Sequence, residues 1–283
     1  MDTLTSLLAH FSLHAGVFYT GNICGVHDYA ADSQRGHIHL VKRGPVQVIG
    51  ERHGVIDIME PSLLFLPRPD RHRLITDERT GADVVCATVR FGGGGSNPIT
   101  DSLPGVVLIK LTELAKVQEL LDLMFDEAFA DQCGRQAVLD RLCEVLMIRL
   151  LRYCMAHGLT QGGTLAGLAD LRLAKALTAI HKDPARERDL AGMAALAGMS
   201  RARFAVRFRE VTGETPADYV ASWRIMTAQH LLQRGRPLKH VADDVGYGSA
   251  SALTRAFARK LGCSPTAWLK ARQDAGTTKR DAR

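Results

Sequence analysis

Two segments near the carboxyl end of the chain place basic side chains at matching positions. The first runs from Arg188 to Val220 and the second from Arg236 to Leu269. In each, an apolar stripe ends at a glycine, a serine follows, and a second apolar stripe at i, i+4 spacing is interspersed with arginines. Guanidinium groups neutralise phosphates and bind guanine edges, and a serine before a helix accepts from its free N–H groups. These residues indicate binding to a nucleic acid.

The spacing of these residues predicts two helix-turn-helix motifs, over residues 189–210 and 238–261. A glycine falls just past the first helix of each motif, where a left-handed residue is favourable. Ser200 and Ser249 are then placed to cap the second helices. A helix over residues 217–233 joins the two motifs. One helix pair would be weak support, but two in tandem favour DNA binding over an ordinary helix hairpin.

The tandem motifs resemble the DNA-binding domain of the AraC/XylS transcription regulators. In the first half the matching residues are Ala194, Ala197, Gly198, Met199, Ser200, Phe204, Phe208, Thr212, Gly213, Pro216, Tyr219, Arg224 and Ala228. In the second half they are Val241, Ala242, Val245, Gly246, Tyr247, Arg255, Phe257, Gly262, Ser264 and Pro265. The resemblance implies a domain over residues 165–272 that binds double-stranded promoter DNA sequence-specifically and works with RNA polymerase. Arg224, on the connecting helix, is expected to brace the two motifs; the alternative is a contact with DNA.

The outer faces of the second helices are expected to contact DNA. The residues on them are Ser200, Arg201, Ala202, Ala205, Val206, Arg209, Ser249, Ala250, Ser251, Thr254 and Arg255. Among these, the family resemblance places Ala202, Ala205, Val206, Ser251 and Arg255 beside base edges. Val206 departs from the family, where a basic or amide residue is usual, so a thymine methyl is its remaining base contact. Arg255 can bind guanine with both arms or pair with Asp243 or Asp244 instead.

Short strands with turn signals every eight to twelve residues are predicted between residues 15 and 91. They are Gly16–Thr20, Cys24–Tyr29, His37–Lys42, Val46–Gly50, Gly54–Met59, Ser62–Leu66, Arg73–Thr76 and Asp83–Arg90. Even spacing of short strands is typical of a small barrel or jelly roll. The segments His39–Gly44, Leu63–Leu74 and Val84–Phe91 resemble the cupin-like sensor domain of one AraC branch. The glycine run that follows, Gly92–Gly95, is interpreted as a surface loop.

A pair of cysteines in this region can carry redox chemistry. Cys24 lies in an early predicted strand and Cys86 in the last, and the pair is similar to that of the reactive-chlorine-sensing branch of the family. A thiolate is oxidised to a sulfenic acid and then to a disulfide if the two Cα atoms approach within about 7 Å. Buried cysteines equally serve as small apolar core residues, and thiolates also ligate metals. All three roles stay open.

Three histidines resemble part of a cupin metal site. His37-x-His39 supplies the first half, but an arginine and a glycine stand where that site has its carboxylate. His72 supplies the second half, whose proline and glycine pattern is matched only in part. An oxygenase iron site is therefore disfavoured, whereas a zinc site of His39 and His72 with the cysteines has acceptable ligand types. The third alternative is satisfied structural histidines.

The net charge of the chain changes sign near Leu165, shortly before the region that contains the two motifs. The full sequence of 283 residues has a formal net charge of +6. From Leu165 onwards it has 21 Lys and Arg against 11 Asp and Glu, whereas the preceding residues are net acidic. A basic C-terminal half suits a polyanion. With no apolar run near the ~20 residues of a membrane span and no evident signal peptide, the expected location is cytoplasmic and off the membrane.

These observations predict an α+β protein of two domains. A cupin-like barrel over residues 1–160 carries two helices between Glu113 and His157. The family resemblance implies that these helices form a homodimer; the alternative is that they only pack on the barrel. An all-α tandem helix-turn-helix domain spans 165–272, and residues 273–283 form a disordered tail. The predicted function is a sequence-specific transcription regulator, an activator and not an enzyme, without a cofactor. Its barrel senses an oxidant through Cys24 and Cys86 or a small ligand. The alternative is a metal-binding cupin enzyme that carries a DNA-binding tail.

Overall fold

A computed structural model describes residues 3–31, 35–92 and 97–277, and they fall into two compact units. The sheet unit comprises Ser12–Gly92 and Asn97–Gln161. The helical unit comprises the described residues of Met1–Phe11 and of Gly162–Arg283. The predicted fold class, α+β in two domains, is confirmed. Within the described residues, no helix is both long enough and apolar enough to cross a membrane.

The sheet unit is built from two antiparallel sheets. Its strands are β1 (Leu13–Ile23), β2 (Val26–Tyr29), β3 (Gly36–Arg43), β4 (Val46–Gly50), β5 (Gly54–Ile58), β6 (Ser62–Leu66), β7 (His72–Ile75), β8 (Ala82–Phe91) and β9 (Val107–Lys110). One sheet has the order β1-β8-β3-β6-β9 and the other β2-β7-β4-β5. Apolar side chains from both sheets, among them Val48, Leu64, Leu74 and Val84, form one buried cluster. β4, β7 and β9 alternate between buried and more exposed residues, whereas β6 is buried throughout and β3 is buried from Gly36 to Val41.

A bulge in β1 fixes where a long helix packs on the sheet. The pairing of β1 with β8 shifts register between Val17 and Tyr19. Two polar side chains of the long helix α4 (Arg135–Ala156) form hydrogen bonds with the backbone at this bulge. Asp140 accepts from the Val17 N–H at 2.8 Å, and Gln136 donates to the Val17 carbonyl at 2.6 Å. These bonds satisfy backbone groups that a bulge leaves outside the ladder.

Three shorter helical segments complete the sheet unit: α2 (Pro98–Asp101), a 3-10 helix (Leu111–Val117) and α3 (Gln118–Phe129). The last of these, α3, packs against α4. Helices α3 and α4 each bury an apolar stripe, which includes Leu121 and Phe125 in α3 and Leu146 in α4. Leu123 and Val145 remain exposed on their outer sides. The two helices thus cover the sheet and still present apolar groups to solvent.

The helical unit contains the tandem motifs. Its helices are α1 (Thr3–His10), α5 (Gly163–Ala169), α6 (Leu173–Lys182), α7 (Leu190–Leu196), α8 (Arg201–Thr212), α9 (Pro216–Gln233), α10 (Leu238–Asp244), α11 (Ala250–Leu261) and α12 (Pro265–Thr277). Helices α7 and α8 form the first helix-turn-helix, and α10 and α11 form the second. Gly198 and Gly246 occupy the left-handed region between them, with φ of 63° and 78°. The predicted turns are present because glycine reaches this region without a Cβ clash.

The structure departs from the sequence-based predictions at four places. β9 was not predicted, because its four residues run directly into the helical pattern that follows. α12 continues to Thr277, so the tail predicted to start at 273 is helical there, and residues 278–283 lie outside the described part. Cys24 follows β1 instead of lying in a strand. α1, predicted within the N-terminal domain, packs against α6 in the helical unit. Gly93–Gly95 of the predicted loop lie outside the described residues.

Candidate functional site

The candidate DNA-facing surface of the first motif is α8. Ser200 caps this helix by accepting the Arg203 N–H at 3.4 Å, and Gly213 closes it in the left-handed conformation. Phe204 and Phe208 are fully buried, with ring centroids 5.4 Å apart. With these rings inward, the opposite side of the helix faces solvent, because residues three and four apart share a face.

The candidate DNA-facing surface of the second motif is α11, which repeats the pattern of α8 with a constant offset in sequence. Ser249 caps the helix by accepting the Ala252 N–H at 3.1 Å, and Gly262 ends it. Leu253 and Phe257 are fully buried at the positions that Phe204 and Phe208 hold in α8. The two helices therefore present equivalent faces to solvent.

The predicted DNA-facing residues all lie on these two faces or at their caps. Eight of them are exposed: Ser200, Arg201, Ala202, Val206, Arg209, Ser249, Ser251 and Arg255. Ala205, Ala250 and Thr254 are half-buried. Among the described residues Asp244 pairs with Arg236, and Arg255 forms no ion pair. The guanidinium of Arg255 is thus available to an external partner.

Arg224 of α9 holds the two motifs together. Its Nε donates to the Pro184 carbonyl at 2.7 Å, and its other nitrogens donate to the carbonyls of Ala185 and Gly246 at 3.4 and 3.3 Å. The guanidinium also lies 5.8 Å from the ring centroid of Tyr247. One side chain thus ties the loop before α7 to the turn between α10 and α11, which confirms the bracing role predicted for it.

Not every arginine of α8 is available to DNA. Arg207 donates to the Asp170 carboxylate through two nitrogens, at 3.0 and 3.1 Å. That arginine, together with two backbone N–H groups at the start of α6, contributes to holding the pKa of Asp170 below its ordinary value, although partial burial opposes the shift. Arg207 was not among the predicted DNA-facing residues, whereas Arg209, which was predicted there, is exposed.

A polar cluster lies inside the sheet unit, against the apolar core. His39 contacts the Cys86 sulfur through Nδ1 at 3.1 Å and His72 Nε2 through its own Nε2 at 2.8 Å. Tyr29 stacks on His72 with ring centroids 5.1 Å apart, and its hydroxyl lies 3.8 Å from the Cys86 sulfur. The sequence predicted His39, His72 and Cys86 as candidates and missed Tyr29, which only the pairing of β2 with β7 brings here.

The two candidate redox cysteines occupy different environments. Cys24 is exposed and donates to the Asn22 side chain at 3.2 Å. Cys86 is fully buried, and burial raises the pKa of its thiol to about 12. Cys86 pairs with Tyr19 in the β1–β8 ladder. Cys24 lies five residues further along the chain, or roughly 16 Å at strand rise. A direct disulfide therefore requires the end of β1 to move.

The geometry of His39 also bears on the predicted metal site. Its two ring nitrogens face different partners, Cys86 on one side and His72 on the other. Cys86, His72 and His39 therefore cannot all bind one metal ion, since the ligands of a metal must converge on a single point. Among the described residues no group of three or more His, Cys, Asp or Glu is arranged to hold a metal. Burial lowers the pKa of His39 and His72, which keeps both rings neutral at pH 7.

Comparison with known proteins gives both units a family. Residues 2–156 match a family described as Cupin, and residues 193–271 match a family described as Helix-turn-helix domain. A relative from Streptomyces antibioticus, named as an AraC-like transcription regulator, is 33% identical over 95% of this chain and 97% of its own length.

Two further matches are a second relative and a solved structure. The RCS-specific HTH-type transcriptional activator RclR of Escherichia coli K12 is 25% identical over 80% of this chain and 81% of its own length. The DNA-binding domain of AdpA, solved in complex with a target DNA, is 33% identical over 36% of this chain and 93% of that one, with a TM-score of 0.34.

Proposed function

Because this chain belongs to the AraC-like family of sequence-specific, DNA-binding transcription regulators, we propose that α8 and α11 enter successive major grooves of promoter DNA. The observation that carries this is the repetition of one capped, arginine-flanked helix with the same residues buried and the same face exposed. Free N–H groups at the helix starts and the flanking arginines bind phosphates, and the outer side chains contact base edges.

Replacing Arg255 with Ala tests this directly. Arg255 sits at the centre of the outer face of α11, and a bidentate contact to guanine is worth about 1–3 kcal/mol. We expect specific affinity to fall about tenfold or more, with little change in binding to competitor DNA. Fluorescence anisotropy on a promoter fragment selected by the wild-type protein measures both.

Arg79→Ala in the sheet unit is the matched control, since Arg79 is an exposed arginine in a turn. This substitution removes the same charge as Arg255→Ala, at a position that is far in sequence from both recognition helices. Equal losses from Arg79→Ala and Arg255→Ala would contradict the proposed interface, because only net charge would then matter.

The sheet unit serves in this proposal as the sensor, and the protein acts as an activator. In the redox version, the exposed Cys24 thiol takes one oxygen from a peroxide-type oxidant, which leaves as water, and becomes a sulfenic acid. That group condenses with the thiol of Cys86 with loss of water. The pairing of β1 with β8 keeps Cys24 and Cys86 apart. Forming the disulfide therefore displaces the end of β1 and changes the conformation of the sheet unit. The neighbourhood of Cys86, Tyr29 and His72 equally offers a small ligand polar contacts.

A promoter–reporter assay with Cys24→Ser and Cys86→Ser decides between these versions. Redox sensing predicts that oxidant raises reporter expression several-fold with the parent and not with Cys24→Ser. Cys133→Ser, which changes another exposed cysteine, is the control and keeps the response. A parental response in Cys24→Ser and in Cys86→Ser excludes the redox version and favours a ligand.

The remaining parts of the proposal concern assembly and location. We place a homodimer contact on the outer sides of α3 and α4, where Leu123, Phe129, Val138 and Val145 are exposed. Sedimentation equilibrium of the full chain decides this, since a monomeric mass excludes it. Bound to promoter DNA, the dimer engages RNA polymerase in the cytoplasm. The unit is a sensor and not an enzyme, in line with relatives named as transcription regulators.

A further inference from the structure

The two recognition helices can be compared position by position. Their caps, Ser200 and Ser249, and their terminal glycines are separated by the same number of residues, as are their buried pairs. At this constant offset Val206 of α8 corresponds to Arg255 of α11, and Ala202 corresponds to Ser251. The outer faces are therefore equivalent in geometry and different in chemistry.

The centre of the outer face of α8 is apolar. Phe204 and Phe208 point inward, so at 100° per residue Ala202 and Val206 point almost directly outward. Val206 is 59% exposed, which is unusual for a β-branched residue at the middle of a helix face. Neither side chain offers a hydrogen-bond donor or acceptor. A base can therefore be contacted here only through an apolar group.

The surroundings of Val206 extend this apolar surface. Leu171, between α5 and α6, is 90% exposed and lines a groove with Met199, Ala202 and Val206. Charged groups line the same groove, namely Asp170, Arg172, Arg203, Arg207 and Glu210, and Arg207 is held by Asp170. In the arrangement proposed above, the arginines beside the face bind phosphates, and such contacts carry no sequence information. Base discrimination by α8 thus depends on its apolar centre.

The outer face of α11 has the opposite character. Ser251 and Arg255 are exposed at its centre, and Thr254 lies beside them. A guanidinium reads guanine through O6 and N7, whereas an aliphatic side chain reads the one apolar group of the major groove, the thymine methyl.

We propose that the two motifs read different chemistry: α8 recognises thymine methyls through Ala202 and Val206, and α11 recognises guanine through Arg255. The operator is accordingly bipartite and directional, with a thymine-bearing half and a guanine-bearing half about one helical turn, ~10 base pairs, apart. This inference rests on the proposed entry of both helices into the major groove and adds the bases that each one selects.

Deoxyuridine in place of thymidine tests the inference, because it removes only the methyl group. We take the tightest fragment selected by the wild-type protein and locate the α8 and α11 halves by cleavage from a reagent attached to each helix in turn. Substitution in the α8 half is expected to weaken binding about fourfold per contacted methyl, from the loss of one buried apolar carbon. Substitution in the α11 half is expected to leave affinity unchanged.

Variants of Val206 connect the effect to one side chain. Val206→Ser, which lacks both methyls, is expected to bind the thymidine and deoxyuridine fragments about equally, whereas Val206→Thr keeps one methyl and retains a thymidine preference. Val206 is exposed, so both variants are expected to melt like the parent, which a thermal scan verifies. For α11, 7-deazaguanine weakens the parent and not Arg255→Ala.

The outcomes separate this inference from the function on which it rests. Failure of the parent protein to bind any fragment overturns the proposed DNA interface. Tight, selective binding with no thymidine preference in the α8 half, or with the same preference in Val206→Ser, overturns only the division of labour between the helices.

Discussion

Lowering the pH from 7.5 to 5 is expected to destabilise the helical unit by about 2 kcal/mol, from the pKa of one buried histidine. His181 stacks on Trp223 with ring centroids 3.7 Å apart, and burial lowers its pKa to about 3. The unfolded chain takes up a proton near pH 6.5, and the folded ring stays neutral to about pH 3. The contribution is therefore complete above pH 6.5 and is lost as the pH falls below it.

Two further histidines act in the same direction. His10 of α1 lies 5.3 Å from the Trp223 ring and 6.1 Å from His230, measured between centroids. Burial lowers the pKa of both, and Arg234 adds to the effect at His230. Protonation would place like charges side by side, so the docking of α1 is expected to loosen first as the solution is acidified.

Urea unfolding followed by tryptophan fluorescence measures this, because both tryptophans of the chain, Trp223 and Trp268, lie in the helical unit. His181→Phe keeps an aromatic ring on Trp223 and removes the titrating group, so it is expected to lose most of the pH dependence. Unchanged stability of the parent between pH 7.5 and 5 would show that the ring accepts a proton in the folded state.

Gly246→Ala is expected to destabilise the helical unit by about 2–4 kcal/mol, from a left-handed backbone and from overpacking. Gly246 has φ of 78°, and a Cβ built there lies 2.6 Å from the Ala185 carbonyl oxygen. The backbone of Ala185 cannot move aside for the added Cβ as a flexible side chain could. The same carbonyls of Ala185 and Gly246 accept from Arg224, so the substitution is expected to disturb the brace as well.

Gly262→Ala separates the two causes. Gly262 has φ of 74°, but a Cβ there meets open space. Only the conformational part, about 1 kcal/mol, is expected from this control. Urea unfolding gives both free energies, and DNA affinity is expected to fall more for Gly246→Ala because α11 is displaced relative to α8. If the two variants were equally stable, the close approach to Ala185 would have no energetic consequence.

The sequence by itself determined the tandem motifs and most of the strands. The glycine, the capping serine and the i, i+4 apolar pair of each motif act within a dozen residues, so their order along the chain is enough to specify the local structure. The strands β3 to β6 were likewise predicted within one residue at each end, since short runs of strand-forming residues bounded by turn signals are visible locally. Family resemblance then supplied the DNA-binding role.

Only the tertiary structure decided which distant residues meet. The ladder of β1 with β8 moves Cys24 away from Cys86, while β3 and β7 bring His39 to His72. Because α1 stands at the start of the sequence, it was predicted in the N-terminal domain, whereas in the structure it packs against α6 in the helical unit. Such contacts depend on strand register and helix packing, which are set by the whole core at once and leave no periodic signal in the sequence.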